Sequence, residues 1–501
     1  MKSTENNKGN MHEVWRPKPG DRVFHPRRIK RYRLRRVLGV AAVFSAGYGN
    51  VGSSIYYALG IVAVVAMGAT PIVLGIAGIL FVFTALTYAE GTAMLPEAGG
   101  SATYARHAFN DMVGFTAGWA LMLSYIVTIA ISAYTIPPYL GYFWAPFKES
   151  PIIGTATSMG IVLFLMVINV IGVKETSLLN IGATIIDIGT QASLIIIGFV
   201  LLFNPPVLLR HIFDNWPTTS NLILGIALAS IAYTGIETMS QMAQETRQPE
   251  KKVPRALIMM IVAVLVIFAG ISLVALSAMP PQELASEWSR DPVAGIAANL
   301  PLVLLRDVLK PLIAILAGTI LLIATNAGIM GISRLAFSLG SHKLVPAMFS
   351  QVHPRFKTPH VSIILFSVIG LLILSPGFFE ADVFENMGAL YAFGSLLSFM
   401  FAHAAIISLR AKRPELPRPF KLRGGIKIRG YELPITAILG LAATAVVWII
   451  ILVTQPYSRW AGIAWMAAGF ITYYFYRRKQ HMPLTHMAPE QGGLEQKLPK
   501  K

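Results

Sequence analysis

Two carboxylates stand where a carboxylate is costly. Glu237 lies in SIAYTGIETMSQ and Asp187 in GATIIDIGTQ, both inside long apolar runs. On the lenient insertion scale an acidic side chain at the middle of a bilayer costs about 2.5–3.5 kcal/mol, so such a residue is a functional candidate by default. Glu237 follows a glycine, Gly235, with Tyr233 and Thr234 beside it. A second group of breakers runs from Phe44 to Tyr57, FSAGYGNVGSSIYY, with Gly47, Gly49 and Gly52 close together and Asn50, Ser53 and Ser54 among them. Glycine weakens a helix by about 1 kcal/mol relative to alanine, and Asn and Ser compete for backbone hydrogen bonds. Each stretch is expected to open near mid-membrane, where freed amides and carbonyls could hold a ligand lining a cavity. The other reading of the glycines is close helix packing at small residues. For Glu237 it is a structural carboxylate.

These groups need a membrane-spanning frame, and the composition supplies one. The 501 residues are 54% hydrophobic and 13% charged, too little charge to cover a soluble protein of this size. Apolar runs of ~20 residues give about twelve spans: 37–66, 71–95, 111–143, 151–173, 178–204, 218–245, 255–279, 311–339, 360–376, 383–409, 433–454 and 460–476. The net charge of +18 suggests nucleic acid, but the basic residues fall in alternating segments, the positive-inside pattern. With the N-terminus inside, only Lys148, Arg210, Arg290, Arg306, Lys310 and Arg459 of the 42 basic residues lie outside. Residues 1–36 read as a basic cytoplasmic arm touching anionic lipid, and no cleavable signal peptide is visible. Residues 480–501 read as a disordered tail.

Pro96, Gly99 and Gly100 predict a turn after span two, with Ser101 capping the next helix. Glu90, near the cytoplasmic end of span two, is either the partner of a basic loop residue or a gate residue. Residues 280–309 predict a long external loop holding a short amphipathic helix. The interruptions in spans one and six are five spans apart. Two five-span repeats of opposite topology would bring them face to face, with half-helix N-termini offered to an anionic group.

Four stretches in this order resemble the amino acid–polyamine–organocation superfamily: VGSSIYY; YAEGTAMLPEAGGSATYA, Tyr88 to Ala105; AYTGIE with QETRQPEKKVPRA; and GISRLAFSLGSHKLVPAMFSQVHPRFKTP, Gly331 to Pro359. The resemblance covers roughly residues 37–478. It implies an all-α polytopic membrane protein with the LeuT-type fold: a 5+5 inverted repeat, residues 37–204 and 205–409, then a basic cytoplasmic loop (410–432), two C-terminal helices (433–478) and a cytoplasmic tail (479–501). It implies secondary active transport of amino acids or related amines across the cell membrane. The family's carboxylate clamp maps to Val51, Gly52, Ser53 and Ser54. The carbonyls that hold the amino group map to Ala232, Tyr233 and Gly235, and a pocket-shaping position maps to Ile236.

The chain departs from the cationic amino acid branch of that family at two places. A span-five lysine linked there to proton coupling falls on Asp187, and a span-three glutamate falls on Ser124. Asp187 could bind a cation or carry a proton itself, or simply be held by neighbouring Thr or Asn. Tyr125 and Thr128 on span three and Thr325 and Asn326 on span eight could line the cavity or serve as polar packing. His403 could titrate or be a packing histidine. The chain has no cysteine, no metal-ligand spacing and no P-loop, so neither a cofactor nor ATP drive is expected; the coupling ion is H+ or Na+. The leading expectation is a proton- or cation-coupled amino acid permease. The alternatives are a polyamine or organic-amine exchanger, an ion importer on the same fold, and a sensor with a transporter body. An enzyme is disfavoured, because no nucleophile–base pair stands out.

Overall fold

A computed structural model describes residues 36–172, 177–379, 383–422, 424–428 and 431–485. The basic arm up to residue 35, Lys174, Arg423, Arg429 and the tail from 486 lie outside the described residues. All twelve apolar runs are helical. Among the described residues, ten helical stretches are long and apolar enough to cross a membrane. The first, Val40–Met94, contains the first two expected spans; the twelfth run forms the helix Pro456–Lys479, which is not among the ten. The spans are numbered here by their runs in the sequence.

Local sequence sets the helix ends. Asn110, Ser150, Asn204 and Thr218 each accept a backbone N–H three residues on, filling orphan donors of the first turn. Span two stops at Met94, before Pro96, and Gly100 turns the chain at φ +53°. Ser101 is not the cap of the next helix: that place is taken by Gly100, and the Ser101 hydroxyl meets Ser398 on span ten at 2.7 Å. The loop between spans seven and eight holds two short helices, Pro281–Ser286 and Pro292–Ala298. The loop after span ten forms a small antiparallel hairpin, Gly425–Ile428 with Tyr431–Pro434.

Span three, Asp111–Leu140, runs through the middle of the bundle and packs on spans eight and ten. Spans four, five and eleven present long apolar side chains outward, among them Phe164, Ile185, Val200 and Val453. A contiguous apolar exterior of this kind belongs against lipid. Span twelve is fastened to span three by Trp119 and Trp465, which stack at 4.7 Å. Each indole N–H donates to the other residue's carbonyl, at 2.8 and 2.9 Å.

Ion pairs sit at the ends of the helices. Glu90, fully buried, accepts from Arg410 Nε at 2.7 Å, from Arg410 Nη2 at 2.5 Å and from the Leu422 N–H at 3.0 Å. Asp111 lies between Arg106 (2.8 Å) and Arg477 (2.9 Å). Elsewhere Lys148 grips both oxygens of Asp291 at 2.8 Å and lies over the Trp288 ring. Burial pushes the Asp291 carboxyl above its ordinary range, and the Lys148 charge pulls it back.

Candidate functional site

Span six breaks where the sequence placed the break. Its first helix, Thr219–Ala229, tightens into a 3-10 turn over Ser230–Tyr233. Thr234 is extended, Gly235 takes φ +104°, and a new helix starts at Glu237. Only glycine adopts that backbone without strain. The space is tight as well: a Cβ on Gly235 would sit 2.8 Å from the Asn50 side chain.

Span one does not open. Its helix Val40–Val51 passes through a single 3-10 turn, Gly52–Ser54, into Ile55–Ala66, all with right-handed helical backbone. The Gly52 N–H donates to the Tyr48 carbonyl, so it is not freed for a ligand. The expected unwinding of span one is therefore corrected to a local tightening. The glycines serve close approach instead. A Cβ at Gly47 would meet Met239, one at Gly49 would meet Ile323, and one at Gly52 would meet the Tyr48 ring. Ser53 and Ser54 turn their hydroxyls back to the Asn50 carbonyl, at 3.1 and 3.4 Å, and Ser54 also meets Tyr57 at 2.9 Å. Val51 is buried with them.

The two turns touch. Asn50 Nδ2 donates to Thr238 Oγ1 at 3.0 Å, tying span one to the second half of span six. Ala232 and Ile236 are fully buried. Tyr233 points away, donating to the Leu74 carbonyl at 2.8 Å and packing on Phe81 and Phe268. Glu237 Oε2 accepts the Gly235 N–H at 3.1 Å, while its Oε1 has no partner. Tyr88, Tyr125 and Tyr391 lie around Glu237, and their hydroxyls, like Asn50 Oδ1, are buried and unpartnered. Buried polar atoms are nearly always paired. Four spans, one, two, three and ten, thus bring unpaired polar groups around one carboxylate on span six.

Asp187 forms a second polar centre. Its Oδ1 accepts from Tyr56 at 2.6 Å; its Oδ2 accepts from Tyr48 at 2.9 Å and from Gln191 Nε2 at 2.7 Å. Gln191 Oε1 is buried and unpartnered. Tyr48, Gly52 and Tyr56 follow at four-residue steps, so they share the face of span one turned to span five. Gly52 lets the Tyr48 ring lie across the span-one backbone and reach Asp187.

The remaining candidates lie elsewhere. Ser124 meets Ser395 of span ten at 2.9 Å and is not hydrogen-bonded to Asp187. Thr128 and Thr325 donate back to carbonyls of their own helices. Asn326 faces span four, accepting from Asn169 at 2.6 Å, and so leaves the central site. His403 sits between Thr84 (3.3 Å) and Thr87 (2.9 Å), fully buried in the scaffold. Sequence reasoning missed Tyr48, Tyr56, Gln191, Tyr88 and Tyr391. For the first three a signal existed: two tyrosines spaced evenly about Gly52, and a glutamine one turn from Asp187.

A small cavity of about 30 Å³ opens beside this site, lined by Thr238, Gln241, Met242, Met330, Gly331 and Arg334. It has room for water but not for an amino acid.

Comparison with known proteins agrees with this architecture. The profile of the amino acid permease family matches residues 38–475. The chain is 26% identical to the branched-chain amino acid permease BcaP of Bacillus subtilis (strain 168), across 89% of this chain and 94% of that protein. It is also 26% identical to the methylthioribose transporter of Bacillus subtilis (strain 168), across 94% and 99%. Identity to the low-affinity putrescine importer PlaP of Escherichia coli (strain K12) is 26%, across 76% and 83%.

Proposed function

The chain belongs to the amino acid permease family and is a multi-pass membrane permease, and from that premise we propose that it carries amino acids across the cell membrane by alternating access, coupled to a proton or cation. The observation that carries this reading is the set of unpaired groups around the span-six break. Glu237 Oε1 and the hydroxyls of Tyr88, Tyr125 and Tyr391 provide acceptors for an ammonium and donors for a carboxylate. The extended backbone at Thr234 and Gly235 adds peptide groups in the same place. Gly52, Ser53 and Ser54 border it from span one, presenting a tightened turn rather than an open one. The name of BcaP, a branched-chain amino acid permease, points to the same substrate class.

Asp187 is the proposed coupling group. It is buried, accepts only from neutral donors, and is bonded to span one at two points about two helical turns apart. A proton or cation arriving there would weaken both tyrosine bonds together and free span one to rock. The N- and C-termini are proposed to be cytoplasmic, following the positive-inside pattern, and the two halves to be inverted repeats.

A second reading, an organic-amine exchanger, is favoured by one observation: the central site holds a carboxylate and among its described residues no cationic side chain faces it. The putrescine importer among the relatives is consistent with it. The two readings separate by competition: uptake of a labelled amino acid mixture that putrescine fails to inhibit supports the first, and uptake of labelled putrescine alone supports the second.

A further inference from the structure

We propose that Gln241 and Arg334 form a second binding subsite, between the central site and the solution at the N-terminal end of the bundle, that receives the substrate's carboxylate on its way out. The inference rests on the amino acid reading above. Gln241 ends the short helix Glu237–Gln241, is 2% exposed, and has no partner for either Oε1 or Nε2. An amide with both ends unsatisfied is a rare expense in a folded interior. It lines the cavity shared with Thr238 and Arg334.

Thr238 and Gln241 lie three residues apart on this short helix, and Glu245 closes the 3-10 turn Met242–Glu245 that follows, so this part of span six carries a polar track. It begins at the central site, where Thr238 holds Asn50. It ends at Glu245, whose carboxylate lies 3.1 Å from Arg334 Nη2. That end faces the N-terminal side, because the N–H groups of Val37 and Leu38 donate to the Glu245 carbonyl. Glu245 occupies the position a free carboxylate would take on Arg334, and guanidinium suits that group through paired N–H donors. A substrate carboxylate displacing Glu245 would find Arg334 ahead of it and the Gln241 amide beside it. The amide supplies a donor to the carboxylate and an acceptor to the ammonium. Met242 and Met330 line the same space, and their flexible side chains can yield to a larger occupant.

The test uses membrane vesicles of both sidedness and a labelled mixture of the twenty L-amino acids, with half-saturation measured from each face. For Gln241→Leu and Arg334→Gln the half-saturating concentration at the N-terminal face rises about tenfold, equivalent to ~1.4 kcal/mol. At the opposite face it moves less than twofold, which also reports that each variant is folded. Gln241→Glu, which keeps the shape but repels a carboxylate, raises it further. Equal shifts at both faces, or none, overturn the subsite. If the unaltered protein carries no amino acid from either face, the amino acid reading fails first and the carboxylate subsite falls with it.

Discussion

The Tyr56 hydroxyl donates a 2.6 Å hydrogen bond to Asp187 across the packing between the first and fifth spans, two helical turns from the matching 2.9 Å bond made by Tyr48. One carboxylate thus pins one face of span one on both sides of Gly52. Bonds to a charged group contribute more than neutral ones, about 1.5–3 kcal/mol each. Tyr56→Phe should therefore lower thermal stability in detergent and cut uptake more than Tyr57→Phe, whose hydroxyl meets only Ser54. Equal effects would show that Asp187 does not hold span one.

Gly52 is the position where this arrangement is most easily spoiled. A Cβ there would lie 2.5 Å from Tyr48 Cζ, and that ring is held by Asp187 and Gln191. Gly52→Ala should cost about 1–3 kcal/mol by overpacking, and Gly52→Leu should abolish transport with expression intact. Thermal unfolding and uptake of the two variants check this. Normal uptake by Gly52→Leu would contradict it.

Glu237→Gln keeps the size of the side chain and removes its charge. If Glu237 holds the substrate ammonium, the variant should bind at least tenfold more weakly in a ligand-induced thermal shift, with the unliganded melting temperature unchanged. A variant that binds as well as the unaltered protein would return Glu237 to a structural role.

The pair of Glu90 and Arg410 makes a prediction about stability rather than transport. Both are buried, and breaking a buried pair by removing one partner typically costs about 3–5 kcal/mol. Glu90→Gln should lower the melting temperature sharply and loosen the segment around Leu422, read by limited proteolysis after residue 418. An unchanged melting temperature would mean that the pair is replaced by water.

How much of this was legible in the sequence differs by element. The spans were, because hydrocarbon dictates both their length and their apolar character. The break at Gly235 was, because a glycine next to a carboxylate at depth has few structural uses, and its φ of +104° is the reason. The three glycines of span one were misread as an opening. Composition alone cannot separate a glycine that frees backbone from one that admits a neighbour, here Met239, Ile323 and Tyr48. Asp187 was legible as a carboxylate at depth, but its tyrosine partners come from another span and pair with it only after folding. Asn326 was placed near the site by its polarity, yet it spends that polarity on Asn169.

The central claim is amino acid transport coupled through Asp187. It is tested most directly by uptake of a labelled amino acid mixture into proteoliposomes, under an imposed pH gradient and then a sodium gradient, for the unaltered protein and Asp187→Asn. The account predicts concentrative uptake under one gradient by the unaltered protein, and gradient-independent exchange alone by the variant. Concentrative uptake that survives unchanged in Asp187→Asn, or the absence of amino acid flux under every gradient, would contradict it.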